Sequence, residues 1–321
     1  MIVDGHNDLV ARVWRGDDVR HVHLDDASRA GFAGGFFALY VPSPKPPKPT
    51  SAEYALPLPE PIPLDEAARV SEELYEVFRS LPVHLATRPG DFRPDRVAAI
   101  LHLEGAEPLA ADLADLEAWY ARGLRSVGLV WSRANAFAEG VPFRFPSTPD
   151  TGPGLTAAGR ELVRACNDLG VLVDLSHLNE AGFWDVASLS SVPLVATHSN
   201  AHALCQSSRN LTDAQLDAIG ASGGVVGVNF AVSFLREDGC QVAATPLAEI
   251  VRHVEYVAGR IGIDHVAFGS DFDGALISEE LGGVAGLPKL VHALKAGGFD
   301  DEAVAKVTHR NWLRVLRDTW Q

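Results

Sequence analysis

Short runs of apolar, largely β-branched residues recur along the chain, separated by stretches with helical periodicity. The runs Met1–Val3, Gly35–Val41, Val97–Leu103, Ser126–Val130, Val171–Leu175, Leu194–Ala196, Val225–Asn229 and His265–Gly269 read as strands. Most are continuous rather than alternating, the pattern of parallel strands buried on both faces. Between them lie amphipathic segments: Leu64–Leu81, Ala110–Arg122, Thr156–Leu169, Asp213–Ser222, Leu247–Ile261 and Leu287–Lys295. A last helix is expected over Glu302–Thr319. This alternation predicts the α/β class, as a (β/α)8 TIM barrel with a proline-rich insertion. An open doubly wound sheet is the other arrangement, but no Gly-x-Gly-x-x-Gly follows a strand and opens a helix. The insertion, Pro42–Pro63, holds nine of the 20 prolines. It cannot be helix or central strand, and reads as an extended loop, either a surface linker or the mouth of a site. One barrel domain over residues 1–321 is expected.

The polar residues fall at the strand ends. Reading each run to its C-terminal end meets His6 and Asp8, Glu104, His177, His198, Asn229 and Asp271. In a barrel these ends share one face, where active sites are built. Imidazoles and carboxylates are metal-ligand types. His6 and Asp8 are two apart, so in extended backbone both point the same way; Asp8 as an N-cap of the following Leu9–Arg15 segment is the structural alternative. Glu104 ends an apolar run, where a carboxylate is costly unless neutralised. Asp174 faces away from His177 and needs a partner. His202, four residues after His198, is the one other histidine near this set in sequence.

Composition narrows the partners. Lys+Arg is 27 and Asp+Glu 42, a formal net charge of −15, which repels phosphate backbones and anionic membranes. The three cysteines are widely spaced, which favours a reducing compartment over a disulfide framework. The N-terminal stretch has no basic and apolar leader pattern, and no apolar run approaches the ~20 residues of a membrane span. A cytoplasmic protein without nucleic-acid or membrane partners is the expectation.

The motifs resemble the membrane-dipeptidase (renal dipeptidase) family, peptidase family M19, of binuclear zinc peptidases within the amidohydrolase-like barrels. The resemblance rests on Asp4-Gly5-His6-Asn7-Asp8-Leu9, Leu103-Glu104-Gly105 and Asp174-Leu175-Ser176-His177. It continues through Thr197-His198-Ser199-Asn200-Ala201, Arg209-Asn210-Leu211-Thr212-Asp213, Gly269-Ser270-Asp271-Phe272-Asp273-Gly274 and Asn311-Trp312-Leu313-Arg314-Val315. It implies two Zn²⁺ per chain: one on His6 and Asp8, one on His177 and His198, with Glu104 bridging both and a hydroxide between them as nucleophile. It implies Asp271 as proton shuttle, chosen over Asp273 as nearer the strand end, and Arg209 as the group binding the carboxylate of a small dipeptide. Trp131 and Asn229 are expected beside the substrate. Trp131 stands where the family often carries a histidine that contacts the substrate carbonyl; either the metals alone, or Arg133 or another group, would then stabilise the oxyanion, or the substrate differs. The implied activity is dipeptide hydrolysis. The alternatives are another amidohydrolase reaction, on an N-acyl amino acid, a lactone or a related ester, or a catalytically impaired metal-binding homologue. A homodimer is the weaker implication.

Overall fold

A computed structural model of the chain describes residues 1–43 and 53–320. Eight parallel strands follow one another around a barrel: β1 (Ile2–Asn7), β2 (Phe32–Tyr40), β3 (Ala98–Glu104), β4 (Leu124–Gly128), β5 (Leu172–Asp174), β6 (Val195–Ala196), β7 (Val225–Val228) and β8 (Val266–Phe268). Sequence order is spatial order, as expected of β/α units. The seam between β8 and β1 has no regular ladder. A parallel bridge between Asn7 and Phe272 joins it, with Asp8 N donating to Phe272 O (2.8 Å) and Asp271 N to His6 O (3.0 Å).

Two apolar layers hold the strands. The larger lies between the barrel and its helices, and includes Phe37, Leu101, Leu162, Ile250 and Leu290. The smaller fills the barrel floor with Val3, Phe36, Ile100, Leu172 and Val225, and is plugged by Trp312 of the last helix. The Trp312 indole N–H donates to Phe268 O (2.9 Å), and Asn311 bridges Ile263 O and Val266 O (2.8 Å each). The floor is therefore sealed, and the open end is the one where the strands finish.

Three glycines shape the middle of the barrel. A Cβ at Gly5, Gly227 or Gly269 would collide with the carbonyl oxygen of Thr197. Glycine on β1, β7 and beside β8 lets the end of β6 press into the barrel axis, which places the next residue, His198, centrally.

Several boundaries differ from expectation. β1 runs on through His6 to Asn7 instead of stopping at Val3. The expected helix from Ala110 begins only at Leu116 and ends at Ala121. Before it, Leu113 is left-handed (φ 60°) and the Asp115 carboxylate captures the Ala110 N–H, so local turns replace two helical turns. The terminal helix is divided into Asp301–Ala305, a π-helical turn Lys306–Arg310 and Asn311–Thr319. The turn offsets Asn311 and Trp312 so that both reach the barrel floor. Helices Leu24–Ala30 and Glu180–Leu189 are additional. Part of the proline-rich insertion, residues 44–52, lies outside the described residues. Beyond it, Tyr54–Ala55 pairs antiparallel with Arg144–Phe145.

Candidate active site

The strand ends deliver the expected side chains to one place. His6, Asp8, Glu104, His177 and His198 are all buried. Asp8 precedes helix Leu9–Trp14 but makes no side-chain capping bond, so its carboxylate is free for the site. His177 and Asp271 are both left-handed (φ 68° and 59°), an unfavourable conformation for residues with a Cβ. Each sits where the chain turns sharply off a strand end.

Glu104 is the hub. Its Oε1 lies 3.1 Å from His177 Nε2, 3.5 Å from His6 Nε2 and 3.7 Å from His198 Nε2. His177 Nε2 and His198 Nε2 are 3.1 Å apart, and His6 Nε2 is 3.5 Å from Asp8 Oδ2. The ligand atoms fall into two sets that share His6: His6, Glu104 and His198, and His6, Asp8 and Asp271. Neither nitrogen of buried His6 has a hydrogen-bond partner among the described residues. Acceptor atoms crowded this closely, with imidazole nitrogens left unpartnered, fit cations coordinated among them.

The electrostatics of the metal-free cluster show the same tension. Burial pushes Glu104 up to about 7, with His6 opposing and Asp8 adding to the rise. Burial pushes Asp271 up to about 6. Burial opposes protonation of His6, but Glu104 and Asp8 together hold it well above the usual histidine range. Burial, then Arg209, holds His177 well below that range, and burial, then His6, does so for His198.

Around this centre the other expected residues divide. Arg209 is buried beside it; its guanidinium donates to Ser199 Oγ (3.5 Å) and His198 O (3.3 Å) and lies over the Phe234 ring (5.6 Å), and no carboxylate pairs with it among the described residues. Burial lowers it to about 10. Asp271 Oδ2 accepts from Asn229 Nδ2 (2.9 Å), while Asn229 Oδ1 accepts from Ala231 N (2.7 Å). Asn229 thus orients Asp271. Asp273 is committed elsewhere: its carboxylate accepts from the backbone N–H of Arg20, His21 and Val22 (2.8, 3.2 and 3.0 Å). This clamp ties the segment after the first helix to the end of β8. Of the two aspartates, Asp271 alone joins the candidate ligand sets among the described residues.

Trp131 is half-buried and stands beside His177 (ring centroids 5.8 Å), flanked by Tyr40 (4.8 Å) and Phe143 (5.4 Å). Arg133 does not replace the missing histidine. It is fully buried, paired with Glu107 (3.0 Å), and donates to Ser43 Oγ (2.6 Å) and Val41 O (2.9 Å). His202 Nε2 lies 2.8 Å from Ser147 O, outside the cluster.

Some buried polar residues went unassigned from sequence. His102 lies beneath the cluster, edge-on to His6 (5.6 Å), with Nδ1 2.9 Å from Ser126 Oγ. Its period-two relation to Glu104 was the available signal. Asp4, likewise two residues before His6, accepts from Ser270 N and Oγ (2.7 Å each) and so holds the turn that carries Asp271.

A barrel with three imidazoles and several carboxylates at the C-terminal ends of its strands is the architecture of a metal-dependent hydrolase. The sequence model of the family "Membrane dipeptidase (Peptidase family M19)" matches residues 1–321. A metallopeptidase structure from Rhodobacter sphaeroides, liganded with a phosphinate mimic of the dipeptide L-Ala-D-Ala, superposes with a TM-score of 0.94. It is 45% identical, and the match covers 99% of each chain. An uncharacterised protein encoded 5′ of pqqA in Klebsiella pneumoniae is 55% identical over 71% of this chain and 85% of its own length. The dipeptidase verJ of Clonostachys rogersoniana is 29% identical over 98% of this chain and 83% of its own. The chain belongs to the membrane dipeptidase family, M19, and is a metallo-dipeptidase of that family.

Proposed function

We propose that the chain hydrolyses dipeptides with a free C-terminal carboxylate, and that His6, Asp8, Glu104, His177 and His198 would hold two Zn²⁺ for that reaction. The observation that carries this is Arg209: a buried guanidinium without a carboxylate partner among the described residues, next to a cluster of metal-ligand atoms. A cation buried this way calls for an anion from outside, and a guanidinium fork suits a carboxylate. The dipeptide mimic bound to the Rhodobacter sphaeroides relative supports the substrate class.

Bound zinc would lower the pKa of water and polarise the scissile carbonyl. Arg209 holds the substrate carboxylate and sets the distance from it to the scissile bond. Asp271, oriented by Asn229, takes the proton of the attacking water and delivers it to the leaving amine. The aromatic wall of Tyr40, Trp131 and Phe143 limits water on the His177 side. Three free cysteines support a reducing, cytoplasmic setting, and the family resemblance supports a homodimer.

Metal analysis with a dipeptide panel, including L- and D-configured C-terminal residues, tests the reading. Two zinc equivalents and hydrolysis of free dipeptides are expected. Zinc-loaded protein that cleaves acyl amides, esters or lactones but no dipeptide would overturn the substrate; failure to bind zinc after reconstitution would overturn the centre.

A further inference from the structure

We propose that Asp174, acting through Thr197, is a positioning residue that fixes His198 in its Nδ1–H tautomer and leaves Nε2 as the bare ligand atom. This rests on the metal-ligand role proposed for His198. Asp174 ends β5, is buried, and belongs to neither ligand set among the described residues; His102 Nε2 stands 3.7 Å from its Oδ2, beyond hydrogen-bond distance. Its Oδ1 accepts from Ser176 N (3.0 Å) and Thr197 N (2.8 Å). Its Oδ2 lies 2.5 Å from Thr197 Oγ1, and Thr197 Oγ1 lies 2.8 Å from His198 Nδ1.

Proton counting decides the direction. A hydroxyl has one proton, and an ionised carboxylate can only accept. The short contact to Asp174 therefore takes the Thr197 proton, as a charge-assisted bond. Thr197 Oγ1 then has only lone pairs for His198, so the proton between them belongs to His198 Nδ1. The imidazole is neutral with one N–H, which leaves Nε2 unprotonated and aimed at Glu104 and His177. Ser176 Oγ, 3.5 Å from Thr197 Oγ1, is engaged in accepting from His198 N (3.0 Å) and fixes the same backbone. The glycines around the Thr197 carbonyl remove the room for this segment to shift. His177 has a weaker version: its Nδ1 faces Ser132 Oγ (2.8 Å), which has no carboxylate behind it among the described residues.

The test needs no bound metal. Long-range ¹H–¹⁵N correlation on metal-free protein at pH 8, with His198 assigned through His198→Gln, reads the tautomer directly. The wild type is expected as Nδ1–H. In Asp174→Asn the new amide donates to Thr197 Oγ1 and turns the threonine proton onto His198 Nδ1, so the expected tautomer is Nε2–H. Thr197→Val should give a mixture, and Thr197→Ser should restore the wild-type state. Zinc affinity by chelator competition should fall roughly 10–100-fold in Asp174→Asn and Thr197→Val, and recover in Thr197→Ser. An Nε2–H tautomer in the wild type, or one tautomer shared by wild type, Thr197→Val and Asp174→Asn, overturns the proposal. Wild-type measurement suffices if a variant does not fold. Failure of the wild type to bind zinc would instead strike the ligand role, leaving the tautomer result to stand or fall separately.

Discussion

Replacing Arg209 with methionine should make the free protein more stable and the enzyme far worse. Burial lowers this guanidinium from 12.5 to about 10. At roughly 1.36 kcal/mol per pH unit, holding the charged form inside the fold costs about 3 kcal/mol. Against that stand two long hydrogen bonds, to Ser199 Oγ and His198 O (3.5 and 3.3 Å), each worth about 1 kcal/mol or less, and the Phe234 ring 5.6 Å away, a contact that a methionine thioether replaces with one of similar worth. Methionine keeps most of the apolar stem. The net gain should be about 1–2 kcal/mol, a rise of a few degrees in Tm by calorimetry of the metal-free protein. The same substitution removes two charge-assisted bonds to the substrate carboxylate, roughly 1.5–3 kcal/mol each. A loss of about 10²–10⁴-fold in kcat/KM for free dipeptides follows. The same dipeptides amidated at the C-terminus, slow substrates for the wild type, should be nearly unaffected. A variant that is less stable than wild type, or equally active on free dipeptides, would refute the argument. The opposed signs are what a functional site built against stability requires.

Asp271→Asn should bind metal normally but lose about 10²–10⁴-fold in kcat, read by steady-state kinetics alongside zinc content; full activity would remove Asp271 from proton transfer. Glu107→Ala should leave Arg133 as an unpaired buried charge and cost about 3–5 kcal/mol in urea unfolding, whereas an effect below 1 kcal/mol would mean the pair is solvated. His253 is buried, with Nδ1 accepting from Ala201 N (3.2 Å) and Nε2 donating to Leu235 O (2.9 Å); burial lowers it from 6.5 to about 4. The unfolded chain therefore binds the proton first as pH falls, so this group's contribution is full above 6.5 and is lost toward 4. Between pH 8 and pH 5 it should amount to about 2 kcal/mol. Urea unfolding of His253→Gln should show a correspondingly shallower acid loss, and parallel curves would exclude His253 as its source.

The strand ends were legible because period-two alternation and an apolar run ending in His or Glu are local features. His6, Asp8, Glu104, His177, His198 and Asp271 could be named from spacing and motif resemblance before their positions were known. Helix boundaries were less so where a side chain outcompeted the backbone, as Asp115 does for the Ala110 N–H. The π turn before Asn311 follows from the need to reach Ile263 O, Val266 O and Phe268 O, partners more than 40 residues away in sequence.

By itself, then, the sequence determined the alternation of strands and helices, the ligand types and the order in which they return to one face. What separates Asp271 from Asp273 is tertiary: both follow β8, but the backbone amides of Arg20, His21 and Val22 engage the carboxylate of Asp273, while Asp271 joins a ligand set. Arg133 is set apart by its buried pairing with Glu107, which no local pattern announces. Asp174 gained a task only when β5 and β6 brought Thr197 against it. In each case what a polar side chain does depends on which donors and acceptors surround it, and those come from segments distant along the chain.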